Sequence, residues 1–350
     1  MTSEAGILGG ELEKRLNEKG VSLCHFPTAY AISTLGGWIS TRASGQMSTA
    51  YGSIENMVLA LKGVLPTGEC VETKLVPRSA TGFSIKDLFI GSEGAMGIVT
   101  EATCQVHRLP ERKEFLSFSV GSVREGLGAI RKLIQKGIRP AVVRFYDEMD
   151  TQLALSEMGL DTSGNLLVFV FQGEKEVVQF QRGETEKEIS AVAKNLGEKP
   201  ARHWWDHRFD LDHHKLTQIL SQEGMILDTI EVAATWSNLQ GLYESMKKAM
   251  SEAGVAILAH FSHFYHTGGS IYFTFFGNFP DEETLAKYDL VWEKAMEACL
   301  SEKGTISHHH GIGLLRKKWI KRELESGWDL MDKIKKTLDP NHILNPQKIV

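Results

Sequence analysis

Apolar positions first recur at helical spacing in GELEKRLNEKG (Gly10–Gly20), where Leu12 and Leu16 share a face and Gly20 supplies the stop. A loop-rich stretch, HFPTAYAISTLGGWISTRASGQMSTAYGS, follows. NMVLALKGVLPTGECVETK then alternates and turns at Pro66-Thr67-Gly68, which predicts a hairpin. DLFIGSEGAMGIVTEATCQVHRLP places a glycine-punctuated loop before an alternating strand that ends near His107. The charged run PERKEF (Pro110–Phe115) reads as a domain boundary, and beyond it the rhythm changes. FLSFSV (Phe115–Val120) is a strand. VREGLGAIRKLIQKG is a helix with Ser122 as its N-cap, Val123, Leu127, Ile130 and Ile134 on one face, and Gly137 at the stop. PAVVRFYD and LLVFVFQG (Leu166–Gly173) are two more strands, followed by a long polar helix from about Glu174 to Leu196. Strand–helix–strand–strand–helix is the opening of a ferredoxin-like unit. After it come MILDTIEVAATW, the helix SNLQGLYESMKKAMSEAG, the strands VAILAHFSH and SIYFTFF, the helix DEETLAKYDLVWEKAMEACL and the loop TISHHHGIG. No repeat of fixed period is present.

Composition narrows the class. A chain of 350 residues with 42 % hydrophobic content buries a large core and suits two domains or more. A formal net charge of -5 argues against a nucleic-acid-binding surface. No apolar run approaches the ~20 residues of a membrane helix. The start, MTSEAGILGGELEKRL, lacks a signal-peptide layout, and the closing NPQKIV carries no peroxisomal tripeptide. Cys24, Cys70, Cys104 and Cys299 lie far apart without a CxxC, against a zinc ribbon or a disulfide scaffold. The expectation from composition is a soluble α/β protein of a reducing compartment.

Several stretches carry candidate chemistry. GSEGAMG sets Gly91, Gly94 and Gly97 at every third position. Such glycines let backbone N–H groups approach an anion or a flat ring, and they also serve in tight turns. LGGWISTRASG combines Gly36 and Gly37 with the hydroxyls of Ser40, Thr41 and Ser44 and with Arg42. That set suits a phosphate-bearing or heteroaromatic ligand; an Arg salt-bridged in a loop is the equal alternative. Histidines cluster as HFSHFYH (His260, His263, His266), DHHK (His213, His214) and TISHHHGIG (His308, His309, His310), out of 13 in all. If the last is extended, His308 and His310 share a face, and His260 and His266 could complete a metal site. No HExxH and no carboxylate at ligand spacing supports that, so no metal is expected. An imidazole cluster better suits an anionic substrate or proton sharing. Tyr272, beside that cluster, is either a core aromatic or a phenol pulled down in pKa by imidazolium or flavin. Arg144, on the strand PAVVRFYD and the one charge within its apolar run AVVRFY, is either paired in the structure or aimed at a carboxylate or phosphate. HWWDHRFD (His203–Asp210) is a pocket wall or an aromatic packing corner.

LGGWISTRASG, YGSIENMV, IGSEGAMGIVTEAT, PAVVRFYD, SIYFTFF and TISHHHGIGLLRKKW resemble the alkyldihydroxyacetonephosphate synthase family, within the vanillyl-alcohol-oxidase-type FAD flavoproteins. The likeness runs over essentially the whole chain. It implies an α+β fold: a partial PCMH-type FAD-binding domain over 1–110, a ferredoxin-like cap (FAD-linked oxidase C-terminal) domain over 111–300, and a segment over 301–350 returning to the FAD domain. FAD is the implied cofactor. Its contacts would be His25, Thr28, Ser33, Thr34, Gly36, Gly37, Thr41, Arg42, Ala43, Ser44, Glu93, Gly94, Gly97, Ile98 and Val99. Tyr272 falls on the tyrosine that takes a proton from substrate, and His308, His309 and His310 on the active-site histidine run. Arg144, His260 and His263 would bind substrate. The implied reaction exchanges the acyl group of acyl-dihydroxyacetone phosphate for a fatty alcohol, making an ether lipid with no net redox change. An imidazole-rich, cationic pocket would stabilise both the phosphate and the departing carboxylate.

Two departures qualify the transfer. The family's N-terminal FAD subdomain has no counterpart here, so the chain is expected to hold FAD poorly alone, as a fragment or a split subunit. The implied partners are a lipid or small-molecule substrate and either a homodimer mate or a chain supplying that subdomain. His260 stands about where the animal synthase has an arginine, which keeps open an FAD-linked oxidase or dehydrogenase of a 2-hydroxy acid or related alcohol. A non-catalytic subunit is the third reading. The expected compartment is the cytoplasm, or the peroxisome in a eukaryote, at the periphery of a membrane.

Overall fold

The computed structural model describes residues 1–156, 158–159, 163–210 and 221–349. His213 and His214 lie outside the described residues. The chain divides into two compact units, Met1–Leu109 with His309–Val350, and Pro110–His308.

The first unit is built on four strands, β1 (Thr2–Glu4), β3 (Val58–Val64), β4 (Cys70–Glu72) and β5 (Ile98–Cys104), in the order β1-β5-β3-β4 and all antiparallel. The hairpin predicted at Pro66-Thr67-Gly68 joins β3 to β4, with Leu65 N–H donating to Glu69 O at 2.9 Å. A two-stranded ladder, β2 (Val21–Ser22) with β6 (His107–Arg108), lies apart from that sheet. The helix Gly9–Asn17 buries Leu12 and Leu16 against Leu35, Trp38, Ile39, Ile54 and Leu61. The helix Leu35–Thr41 starts at Thr34, whose Oγ1 accepts from Gly37 N–H at 3.1 Å, and stops at Arg42, held at φ +55°.

The returning segment is tied into this unit by charge. Glu93 accepts from the amides of Ile312 at 2.5 Å and Gly313 at 3.0 Å. Lys335, on the helix Ser326–Leu338, donates to Ala95 O and Leu344 O, each at 2.8 Å, and pairs with Asp339. Asp339 in turn accepts from Ile343 N–H at 3.0 Å and Leu344 N–H at 2.9 Å. Both members of this pair are buried.

The second unit is a seven-stranded antiparallel sheet in the order β10-β7-β9-β8-β12-β13-β11. Its strands are β7 (Arg112–Val120), β8 (Val142–Tyr146), β9 (Asn165–Gly173), β10 (Ala193–Gly197), β11 (Met225–Thr235), β12 (Ala256–Tyr265) and β13 (Gly268–Asn278). Ser122 caps the helix Val123–Gln135 as predicted, with Oγ accepting from Glu125 N–H at 3.3 Å. The long polar helix expected to Leu196 is shorter, Lys175–Ile189. The chain then turns back to pair β10 with β7 at the sheet edge.

Alternation sorts the central strands into two faces. Phe145, Phe261 and Phe273 point one way, beneath the helices Val123–Gln135 and Leu239–Ser251. Gly126 is required there, because a Cβ would stand 2.2 Å from the Phe145 ring. Phe261 is fully buried, with ring centroids 5.8 Å from Phe145 and 5.3 Å from Tyr243. Phe261→Ala is therefore expected to cost about 3–5 kcal/mol in chemical denaturation, and a loss under about 1 kcal/mol would contradict this packing. The other face carries the polar residues described next.

Candidate active site

Pairing register assembles a transverse row from residues far apart in sequence. Tyr146 lies opposite His260, His260 opposite Tyr272, and Tyr272 opposite Glu231. Arg144 sits two residues before Tyr146 and so projects from the same face. Two helices frame this face. Glu148–Ser156 brings Asp150 to His260, and Lys199–His207 brings Trp204 to Arg144.

Arg144 is the cation of the row. Its Cζ stands 5.5 Å from the Tyr146 ring centroid and 5.2 Å from that of Trp204. One Nη contacts His260 Nε2, while the buried Nε has no hydrogen-bond partner among the described residues. The second nitrogen of His260, Nδ1, lies 3.3 Å from Asp150 Oδ2. Burial first, and the Arg144 charge second, hold the His260 imidazole down at about 4, so it is neutral near pH 7.

That neutrality corrects one expectation about Tyr272. Its ring stacks on His260 at 5.0 Å and 17°. With no imidazolium beside it, burial dominates and raises the phenol above its ordinary value, despite a hydrogen bond with Thr229 and the Arg144 charge. Tyr272 is a held proton rather than a phenolate in this state.

Glu231 ends the row and shapes the histidine loop. Fully buried, it accepts from Ser307 Oγ at 2.8 Å and from His308 N–H at 2.5 Å. Thr305 bridges to Ala233 just before, so TISHHHGIG does not run on as an extended strand with His308 and His310 on one face. His308 Nε2 is hydrogen-bonded to the Tyr265 hydroxyl at 2.8 Å, and its ring stacks on His263 at 5.0 Å. His263 departs from simple alternation. The register slips between Ser262 and Tyr265, and His263 takes φ +50°, a bulge that re-aims its side chain. His266, beyond the strand, contributes its carbonyl to Trp236 Nε1 at 3.0 Å.

The remaining candidates lie in the first unit. His309 and His310 meet edge to face at 4.5 Å. His25 is buried, edge-on to Trp38 at 4.8 Å, and burial lowers it to about 3. Both of its ring nitrogens are without a partner among the described residues. A buried donor–acceptor pair of that kind fits the polar edge of a heteroaromatic cofactor. Thr28 lies in the turn closed by Tyr30 N–H on Pro27 O. Ser33 Oγ accepts from Trp38 Nε1 at 2.7 Å, and Thr41 Oγ1 donates to Gly37 O at 3.0 Å. Arg42 pairs with Glu55 at 3.3 Å while remaining largely exposed, Ala43 is in the core, and Ser44 Oγ meets Ser53 Oγ at 2.5 Å. Gly36 packs on Ala5 too closely for a side chain. Gly94 has φ +76° and open space where a Cβ would stand, whereas Gly97 abuts the Phe89 ring. Ile98 and Val99 open β5, and the Glu93 carboxylate is engaged by Ile312 and Gly313. Asp150, Glu231 and Tyr265 were not singled out from the sequence.

The glycine-rich first unit, and the antiparallel sheet of the second faced with arginine, tyrosine and histidine, match the FAD-linked oxidase class of fold. The chain belongs to the FAD-linked oxidases: residues 109–349 match the model "FAD linked oxidases, C-terminal domain", and residues 1–74 match "FAD binding domain". FAD is the cofactor of that family. The alkyldihydroxyacetonephosphate synthase of Trypanosoma brucei brucei is 36% identical over 99% of this chain and 61% of its own length. An uncharacterized FAD-linked oxidoreductase of Escherichia coli (strain K12) is 32% identical over 98% of this chain and 74% of that protein. A solved structure of an alkyldihydroxyacetonephosphate synthase superposes with a TM-score of 0.78 at 29% identity, covering 99% of this chain and 64% of the other. The chain thus spans about three fifths of the length of the synthases it matches. Among the described residues no helix is long and apolar enough to cross a membrane.

Proposed function

We propose that this chain carries the substrate-binding part of an FAD-dependent enzyme of the alkyldihydroxyacetonephosphate synthase kind, which replaces the acyl group of acyl-dihydroxyacetone phosphate by a fatty alcohol. The observation that carries this reading is Arg144, a half-buried residue whose guanidinium Nε is itself buried and unsatisfied among the described residues. Leaving such a donor dry is costly, and an anionic substrate group satisfies it with a charge-assisted hydrogen bond.

FAD, when bound, supplies the isoalloxazine ring at which the substrate carbon reacts. The chain's own residues orient and protect. Arg144 holds the phosphate or carboxylate, and the aromatic walls of Tyr146 and Trp204 exclude water from that ion pair. Tyr272 keeps its phenolic proton until a substrate group competes for it. The Tyr265–His308 hydrogen bond is a second place where a proton is held, anchored through Glu231. The family resemblance assigns His309 and His310 to the same reaction.

The test is alkyl transfer by the FAD-loaded protein. Incubation with acyl-dihydroxyacetone phosphate and a long-chain alcohol is expected to give the ether product by mass spectrometry, with release of the free acid. A protein that holds flavin, makes no ether and bleaches anaerobically on D-lactate or glycolate would instead be a 2-hydroxy-acid dehydrogenase. A protein that stays colourless under all loading conditions would overturn both.

A further inference from the structure

We infer that Asp150 aims the Arg144 guanidinium by fixing the tautomer of His260, so that Asp150 and His260 are positioning residues rather than substrate ligands. The inference rests on Arg144 being the anion-binding group.

The two contacts of His260 allow one arrangement. A guanidinium has only donors, so the Nε2 that meets Arg144 must present its lone pair. The ring proton then sits on Nδ1, and Nδ1 faces the acceptor oxygen Asp150 Oδ2 at 3.3 Å. The opposite tautomer fails twice, with Nε2–H against an Arg N–H and a bare Nδ1 against a carboxylate. The imidazolium fails once, at the guanidinium. With both nitrogens engaged, His260 has no polar atom left for a substrate. Its rings of contact, Tyr146 at 5.5 Å and Tyr272 at 5.0 Å, fix its plane.

Asp150 is itself held. Its backbone N–H donates to Asp147 Oδ1 at 3.0 Å. Asp147 is buried, bonded by the Tyr243 hydroxyl at 3.0 Å and by Lys247, and its own N–H donates to Ala259 O beside His260. The carboxylate that fixes the imidazole is therefore pinned to the strand that carries it. One Arg144 Nη is occupied by His260, and the orientation this imposes leaves Nε buried and unpaired among the described residues. An orienting group acting through a histidine in this way corresponds to the outer-shell partners that set histidine tautomers elsewhere.

The experiment is nitrogen-15 NMR of the histidine-labelled full chain, with the His260 signal assigned by its loss in His260→Asn. The wild type is expected to show the Nδ1–H tautomer. Inorganic phosphate, titrated in, should shift that signal. Asp150→Ala should move His260 towards the Nε2–H tautomer and weaken phosphate binding roughly tenfold, the loss of one hydrogen bond in a charged network. Asp150→Asn keeps an acceptor oxygen and should hold the tautomer and the affinity within about twofold, which separates positioning from a folding defect. A wild-type Nε2–H tautomer, or an Asp150→Ala protein unchanged in both tautomer and affinity, would overturn the inference. The expected tautomer behaviour with no phosphate response would support the tautomer control and sink the anion-binding reading of Arg144.

Discussion

Replacing Arg144 by Gln is expected to raise KM for the anionic substrate roughly 10- to 150-fold, the range for losing a hydrogen bond to a charged group in a dry site. The Gln amide fills part of the same space beside Tyr146 and Trp204, so melting behaviour should change little by comparison. Arg144→Lys keeps the charge but not the planar fork. Its ammonium cannot meet His260 Nε2 and an anion with the same geometry, so an intermediate defect is expected. Steady-state kinetics on the FAD-loaded enzyme checks both variants. An unchanged KM in Arg144→Gln would remove the anion-binding role on which the proposed function stands.

The second large effect concerns stability. Lys335→Met leaves Asp339 buried without its cation, and the melting transition is expected to fall on the order of 10 °C. Hydrogen exchange at the Ile343 and Leu344 amides should accelerate in parallel, since both donate to Asp339. Lys336→Met is the control. It breaks an exposed pair with Asp332 at the same helical spacing and should shift melting by about 1 °C or less. The same carboxylate sets an acid dependence. Burial alone would raise Asp339, but the Lys335 hydrogen bond and the two amides outweigh it and hold the group at about 2. A depressed carboxylate contributes stability above its unfolded pKa of about 4. That contribution is withdrawn as pH falls from about 4 towards 2. Calorimetric scans between pH 5 and pH 2, run on the wild type and on Lys335→Met, should therefore converge at the acid end.

Local rules carried the sequence reading a long way where a side chain reported its own environment. The Ser122 cap, the Pro66-Thr67-Gly68 hairpin and the strand around Arg144 all follow from short-range chemistry. The end of the polar helix did not. AKNLG is polar and glycine-terminated because β10 is an edge strand, where outward positions are solvated and strand propensity is weak. The direction of His263 was not legible, because alternation carries no warning of a bulge. Glu231 was legible in principle, since a lone carboxylate inside the apolar run IEVAA is the same anomaly as a lone guanidinium inside AVVRFY. Asp150 was not, because acids in the first turn of a helix are ordinary. Only cross-strand register, which no single segment contains, brings it to His260.

The bond from Glu93 to the Ile312 amide spans 219 residues of chain, with the whole of Pro110–His308 inserted between. On the ribosome, Glu93 emerges long before the loop that will occupy it. At about 5–20 residues per second, the delay is roughly 10–40 s. The inserted unit is continuous and is free to mature during that interval, while the first waits, incomplete, for its final segment. Nascent-chain arrest before Ile312 should therefore yield a protease-resistant middle flanked by a vulnerable beginning, a birth order written into connectivity rather than into any one contact.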